Sequence, residues 1–518
     1  MRPRTAALAL FLFALSGSAA HATPPRHGFA FMDVRERSAV FWTRAGDEGT
    51  VVLTLTPPRG RSIHRRIDID AEHDRVASAE VSGLAPDTLY RVEVRVPSGE
   101  GEDWRGHGRL RTAPPRPEAA AFRVAFGGDV GGQGVCRDQK LGYPIFRVIA
   151  RRETAFFVGL GDMIYADNAC RATGRYGNPQ VEGPIAPAAD PEGFRARWRY
   201  NRSDPGWVGL SAQVGYVPVW DDHEVLNDFG PEHDSPRGRP DLHLLKTGLT
   251  AFLEYNPIST QAKHRLYRHL RWGKHLDLFV LDTRQHRDSN ARKDSLSMPK
   301  TMLGRDQREW LLGSLTISDA TWNVVVSSVP IAIPTGAFPD PENGRDGWAS
   351  GDRGTGFEHE LRQLLMDLYD AGVRNLVWIT TDVHFASVQR FQPFTSRPEY
   401  QVYEVATGPL NAGVFPNSEM DESFHPERLF RWPPMEGADM DFEITSFDDA
   451  QRWFNFGELE FDAAGNLTLR VVNGRGEVVY EHTLPPASRP ELAPPIGPEG
   501  IPAPTINGGR GGAPSGPG

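Results

Sequence analysis

The stretch AFFVGLGDMIYADN, residues 155–168, decides how the rest of the chain is read. Ala155 to Leu160 is apolar at successive positions, as in a short strand covered on both faces. Gly161 then allows a sharp turn, as Gly127 and Gly128 do at an earlier strand end, and Asp162, Tyr165 and Asp167 follow within a few positions. In layered α/β proteins, ligands gather outside the C-terminal ends of such strands.

Five more runs have the same character: FRVAFG (122–127), VGYVPVW (214–220), LDLFVLD (276–282), WNVVVSS (322–328) and NLVWITT (375–381). Helical stretches lie between several of them, among them Asp306 to Leu315 and Glu358 to Tyr369. Residues 120–485 are therefore expected to form a mixed, layered α/β domain. Near its end, LTLRVVNGRGEVVYEHTL (467–484) alternates on either side of Asn473-Gly474, which predicts a hairpin at the edge of a second sheet.

Residues 23–115 read as all-β. SAVFWTR (38–44) and VVLTLTP (51–57) alternate as half-buried strands do. In GLAPDTLYRVEVRV (83–96) the residues Leu84, Tyr90, Val92 and Val94 share one face, as in the late strand of a fibronectin-type-III-like sandwich with its corner tyrosine. Trp42 is the expected core aromatic, and Pro114, Pro115 and Pro117 mark a linker. The tail, 487–518, is Pro- and Gly-rich and is expected to be disordered.

At the start, Arg2 and Arg4 precede an apolar run, Ala6 to Leu15, and Ala20-His21-Ala22 has the small-x-small form of a cleavage site. Residues 1–22 thus read as a signal peptide, the run being too short to span a membrane comfortably. Export to the periplasm or the exterior is expected, with no later membrane span. An exported protein with two cysteines, Cys136 and Cys170, is expected to join them in a disulfide. The net charge is −10 and no basic run tracks a nucleic-acid backbone, which disfavours nucleic acid as an obligate partner.

The chemistry concentrates at four strand ends. These carry Asp129 (FGGDVGG), then Asp162, Tyr165 and Asp167, then Asp221, Asp222, His223 and Glu224 (VWDDHEVLND), and last Asp382 and His384 (TTDVHF). Each alone has a bland reading: Asp221 and Asp222 as helix caps, His384 as a satisfied core histidine, Tyr165 as packing. Together, so many carboxylates in one volume must either be protonated or enclose a cation, and oxygen and imidazole ligands suit divalent or trivalent metals.

With LGDMIYADN, YNRSDPGW (200–207), WDDHEVLNDF (220–229), LDTRQHR (281–287) and TTDVH (380–384), the chain resembles the alkaline phosphatase D (PhoD-like) family of the calcineurin-like metallophosphoesterases. The resemblance implies a four-layer αββα sandwich preceded by the small all-β domain, with a dinuclear site at the sheet edges. It implies metal ligands at Asp129, Asp162 (bridging), Tyr165, Asp222, Asp382 and His384, with Fe3+ and Ca2+ as the family pair and Zn2+, Mn2+ or Mg2+ left open. Two positions depart from the family pattern: Asp129 stands where a cysteine is common, and Thr381 where a glycine is common. The expected reaction is hydrolysis of phosphate mono- or diesters by in-line attack of a metal-activated hydroxide. His223 is expected to stabilise charge or protonate the leaving group; Arg284 is read either as a fork onto the phosphate or as a structural salt bridge. The chain is taken as a monomer acting on a small phosphate ester. Two alternatives stand beside this: a phosphodiesterase acting on lipid or nucleic-acid breakdown products, and a non-catalytic exported binding protein with structural metals.

Overall fold

The computed structural model describes residues 27–488, apart from 47, 97–102, 232–240, 260–264, 337–343, 352–353 and 435–442. Residues 1–22, expected to be a signal peptide, and nearly all of the C-terminal tail lie outside the described residues. The first seven strands are β1 (Phe29–Met32), β2 (Ser38–Arg44), β3 (Thr50–Thr56), β4 (Ile63–Asp68), β5 (Val76–Ser82), β6 (Leu89–Val96) and β7 (Trp104–Arg111). There follow β8 (Phe122–Gly127), α1 (Pro144–Ala150), β9 (Phe156–Gly159), α2 (Pro191–Arg202), α3 (Pro205–Ser211), β10 (Gly215–Pro218), α4 (Leu242–Tyr255), β11 (Arg268–Trp272), β12 (Leu276–Val280) and α5 (Gly304–Ile317). The last are β13 (Trp322–Val326), α6 (Glu358–Asp370), β14 (Leu376–Thr380), β15 (Ala386–Phe391), β16 (Val402–Ala406), β17 (Pro426–Trp432), α7 (Phe447–Ala450), β18 (Asn455–Phe461), β19 (Leu467–Asn473) and β20 (Val478–Leu484).

All six apolar runs are strands, and they divide evenly. β8, β9 and β10 lie parallel in one sheet; β12, β13 and β14 lie parallel in another. The first sheet has nine strands in the order β20-β19-β18-β8-β9-β10-β1-β2-β5, and the second seven in the order β11-β12-β13-β14-β16-β15-β17. Their inner faces meet in one core, where Val124, Phe126 and Val158 pack with Leu278, Val324 and Ile379. The outer face of the first sheet is covered by α1 to α4, and that of the second by α5 and α6. This is the four-layer αββα sandwich. Asp190, Asp204 and Asp241 cap α2, α3 and α4 by accepting main-chain N–H bonds at the first turn, and α2 and α3 begin with a proline that needs no such partner.

The N-terminal strands form a sandwich of three facing four: β1, β2 and β5 pack on the sheet β4-β3-β6-β7. Ala85 N–H donates to the Tyr90 hydroxyl at 2.7 Å, closing the expected tyrosine corner. The three-stranded half does not stand apart. β1 runs parallel beside β10, with Met32 opposite Tyr216, so the N-terminal sandwich extends the nine-stranded sheet. Buried Arg268 grips Asp33 at 2.7 and 2.8 Å across the same junction.

Two expectations are corrected here. Trp42 is fully buried, but not in the N-terminal core. Alternation along β2 turns Ala39 and Phe41 into the sandwich and Val40 and Trp42 toward the helices, where the indole N–H donates to the Glu254 carbonyl at 2.8 Å. The hairpin β19–β20 lies at an edge as expected, yet of the sheet that holds β8 to β10. Its loop is longer than Asn473-Gly474: the Asn473 side chain accepts from Arg475 N–H and Glu477 N–H, and Gly476 takes the positive φ of 88°.

Candidate metal centre

Three of the four strands that bear candidate ligands, β8, β9 and β14, are followed by left-handed residues. Asp129 has φ 67°, Asp162 52°, Asp382 77° and His384 60°. Such backbone costs a non-glycine residue about 1 kcal/mol or more and persists where the surroundings impose it. Here the loops clip to one another: Val130 N–H donates to Asp162 O at 2.8 Å and Asn411 N–H to Asp129 O at 3.0 Å. Gly161 is required, because a Cβ at this position (φ 122°) would lie 2.5 Å from the Asp221 side chain.

The loops bring the predicted ligands together. The Tyr165 hydroxyl lies 3.4 Å from Asp129 Oδ1 and 3.2 Å from His384 Nε2, and Nδ1 of that imidazole donates to the Gly413 carbonyl at 2.6 Å. Ligand atoms of Asp162, Asp222 and His223 lie within 4.8 Å of one another, as do those of Asp221, Asp222 and Asp382. Asp162 Oδ1 accepts from His223 N–H at 3.1 Å, but Asp162 Oδ2, Asp221 Oδ2 and Asp382 Oδ2 are buried with no hydrogen-bond partner among the described residues. A buried carboxylate oxygen left so is costly; Asp221 has Arg284 on its other oxygen, but Asp162 and Asp382 have no ion pair among the described residues and call for a positive partner.

The electrostatics agree. Burial, then the neighbouring Asp222, Asp221 and Glu224 carboxylates, push Asp162 well above the usual range; burial and Asp221 do the same to Asp382. Burial also raises Tyr165 well above an ordinary phenol and lowers His384. Burial and mutual repulsion thus disfavour the ionised forms of Asp162 and Asp382. Cations among the oxygens reverse that, so the residues present fit a bound metal.

A profile of the family described as PhoD-like phosphatase matches residues 129–460, well over half of the chain and the segment that holds every candidate ligand. The chain belongs to the PhoD-like phosphatase family. Alkaline phosphatase D of Bacillus subtilis (strain 168) is 25% identical over 323 residues, which are 59% of this chain and 52% of that protein. The chain thus spans about half the length of that curated relative. Among solved structures, that of PhoD superposes with a TM-score of 0.68 at 18% identity, covering 88% of this chain and 87% of the other. A purple acid phosphatase from seeds of yellow lupin (Lupinus luteus) gives 0.57 at 14% identity, over 88% and 73%. These two likenesses show the fold.

Both departures from the PhoD-like pattern meet in space. The Thr381 hydroxyl sits 2.6 Å from Asp129 Oδ2 and 2.7 Å from the Thr407 carbonyl. The aspartate that stands for a cysteine is thus steadied by the threonine that stands for a glycine. The left-handed turn falls one residue later, on Asp382, so Thr381 carries no strain. Cys136 is no substitute ligand, since it is joined to Cys170 in a disulfide.

Arg284 takes the structural reading, and its reading as a fork onto phosphate is corrected. It is fully buried. Nε and Nη2 reach Asp221 Oδ1 at 2.6 Å, Nη1 and Nη2 reach the Asp346 oxygens at 2.8 and 2.7 Å, and Nη1 also donates to the Phe229 carbonyl at 3.2 Å. A guanidinium has five N–H bonds, and none is left for substrate.

Three residues support the site: Asp167 and Glu224, noted in the sequence without a role of their own, and Asp346, which the sequence did not mark. Asp167 accepts from His223 Nδ1 at 2.8 Å and so fixes that ring. Glu224 accepts from the main-chain N–H groups of Asp162, Met163 and Asp221, tying two ligand loops together. Asp346, buried between Arg284, Arg287 and Asn290, lies in a loop with no strand pattern to announce it. A carboxylate three or more residues past a strand end was the available signal for Asp167 and Glu224. For Asp346 there was none.

Proposed function

We propose that the chain is an exported, metal-dependent hydrolase of phosphate esters. The observation that carries this reading is the set of buried, unpartnered oxygens on Asp162, Asp221 and Asp382 beside Tyr165 and His384 at the shared strand ends. Asp129, Tyr165 and His384 would hold one ion, Asp222 and Asp382 a second, and Asp162 would serve both. With carboxylate, phenol and imidazole donors and no free thiol, the set suits hard ions such as Fe3+ and Ca2+, or Mn2+ and Mg2+. Such ions supply a water of lowered pKa and neutralise phosphoryl charge. The disulfide supports an oxidising compartment, and among the described residues no helix is long and apolar enough to cross a membrane.

His223 has a distinct part in this scheme. With Nδ1 on Asp167, its Nε2 is the atom left to hold a proton against a phosphoryl or leaving-group oxygen. His223→Ala is expected to lower turnover about 10²- to 10⁴-fold while the metal content stays the same. Loss of metal in that variant would instead make His223 a ligand.

The function itself is tested by stripping the protein with a chelator and restoring single ions, with turnover of mono- and diesters measured side by side. Turnover should vanish on stripping and return with one or two of the ions, and the ratio of the two ester classes identifies the preferred substrate. Tightly held metal with no turnover of any ester would leave the binding-protein alternative.

A further inference from the structure

The chain carries a net charge of −10, yet one face of its N-terminal sandwich is basic. In β7, alternation turns Trp104, Gly106, Gly108 and Leu110 inward and Arg105, His107, Arg109 and Arg111 outward, and all four outward residues are exposed. On the neighbouring strand β6, Arg91 stands directly opposite Arg109 and Arg95 directly opposite Arg105. Like charges opposed across a strand pair are destabilising. Acids answer only part of this charge: Asp103 pairs with Arg95, Glu93 with Arg105 and Asp87 with Arg111. Arg91 and Arg109 have no carboxylate partner among the described residues.

At its Arg111 end the row enters a cleft of about 270 Å³ between the sandwich and the start of β8. Arg109, Arg111, Arg123 and Thr154 line it, with Glu153 also in the wall. The Thr154 side chain is nine-tenths buried, and its hydroxyl has no hydrogen-bond partner among the described residues. A buried, unpartnered hydroxyl beside a cleft that Arg109 enters without a carboxylate partner is an arrangement that can receive a phosphate-type oxygen; Arg111 there is held by Asp87 and Arg123 by Glu460.

We propose that the outer face of β6 and β7 is a docking track for a linear polymer of phosphate-type charges, with the cleft at Thr154 seating its end. Successive outward residues of a strand are about 6.8 Å apart, so the four on β7 span about 20 Å in a line. That geometry suits charges repeating along a flexible chain. It suits a lipid surface less, because Leu89 is the one large apolar residue exposed on these two strands. The track is independent of the catalytic reading, since none of its residues belongs to the metal centre.

The test uses the whole chain, titrated calorimetrically with inorganic polyphosphate of defined length at several salt concentrations. Arg91→Gln combined with Arg109→Gln should weaken binding at least tenfold at low salt and reduce the salt slope by about 1.4, the loss of two phosphate contacts. Turnover of a small phosphate monoester should not change, and the melting temperature should hold or rise because opposed charges are relieved. Thr154→Val should weaken binding with the slope retained; an unchanged affinity would overturn the cleft as the seat of the chain end. Equal affinity and slope in the double variant, or binding to phosphatidylglycerol vesicles without binding to polyphosphate, would overturn the track.

Discussion

Asp162→Asn is expected to empty the centre of metal and to lower turnover by more than the roughly 100-fold that loss of an outer-shell partner costs. The Asp162 side chain is 1% exposed, with one oxygen taken by His223 N–H and the other unpartnered. An amide keeps the shape but removes a negative charge. It also places either a weaker oxygen or an N–H donor where a cation would sit, and neither replaces a carboxylate. The same change removes repulsion with Asp222, Asp221, Glu224 and Asp129, so the metal-free variant should melt no lower than the metal-free parent. Elemental analysis, ester turnover and thermal melting on one preparation decide the matter. Full metal content with retained turnover would remove Asp162 from the centre.

The second large effect concerns stability. Arg284→Met is expected to destabilise the fold by about 3–5 kcal/mol, the usual result of removing one partner from a buried ion pair. The change leaves Asp221 and Asp346 facing each other at the rim of the acidic nest with no cation between them. Arg287 still reaches Asp346 at 2.7 Å, but among the described residues no other cationic side chain is paired with Asp221. Arg284→Lys should recover part of the loss, because an ammonium keeps the charge without the planar five-donor fork. Denaturant midpoints provide the measure. An unaltered midpoint together with a raised KM for ester would restore Arg284 to the substrate.

The sandwich was legible because its signal is local. A strand buried on both faces must be apolar at every position, and a ligand-bearing end must change character abruptly, as at Phe126–Asp129 and Leu160–Asp162. The acidic and histidine residues at those ends could be singled out for the same reason, while their assignment as six ligands came from the family resemblance. What stayed hidden depends on partners distant in sequence. Whether Arg284 meets phosphate or Asp346 is settled 62 positions away. Trp42 reads as a core residue of its own sandwich until α4 is seen to cover the other face of β2. The basic face of β7 was missed because its charges fall at every second residue: a search for consecutive cations sees WRGHGRLR as mixed, while the folded strand presents them as one row.

The parallel contact of β1 with β10 has a mechanical consequence. The two halves share one nine-stranded sheet, joined at a single registered pair, Met32 with Tyr216, and one apolar interior, which together resist rotation of one half against the other. Rotating one against the other would tear a sheet and expose the buried Arg268–Asp33 pair. The N-terminal sandwich therefore acts as a rigid bracket. Anything held on its outer strands is presented to the acidic nest at a span that the backbone keeps constant, and access to the nest is left to the loops around it.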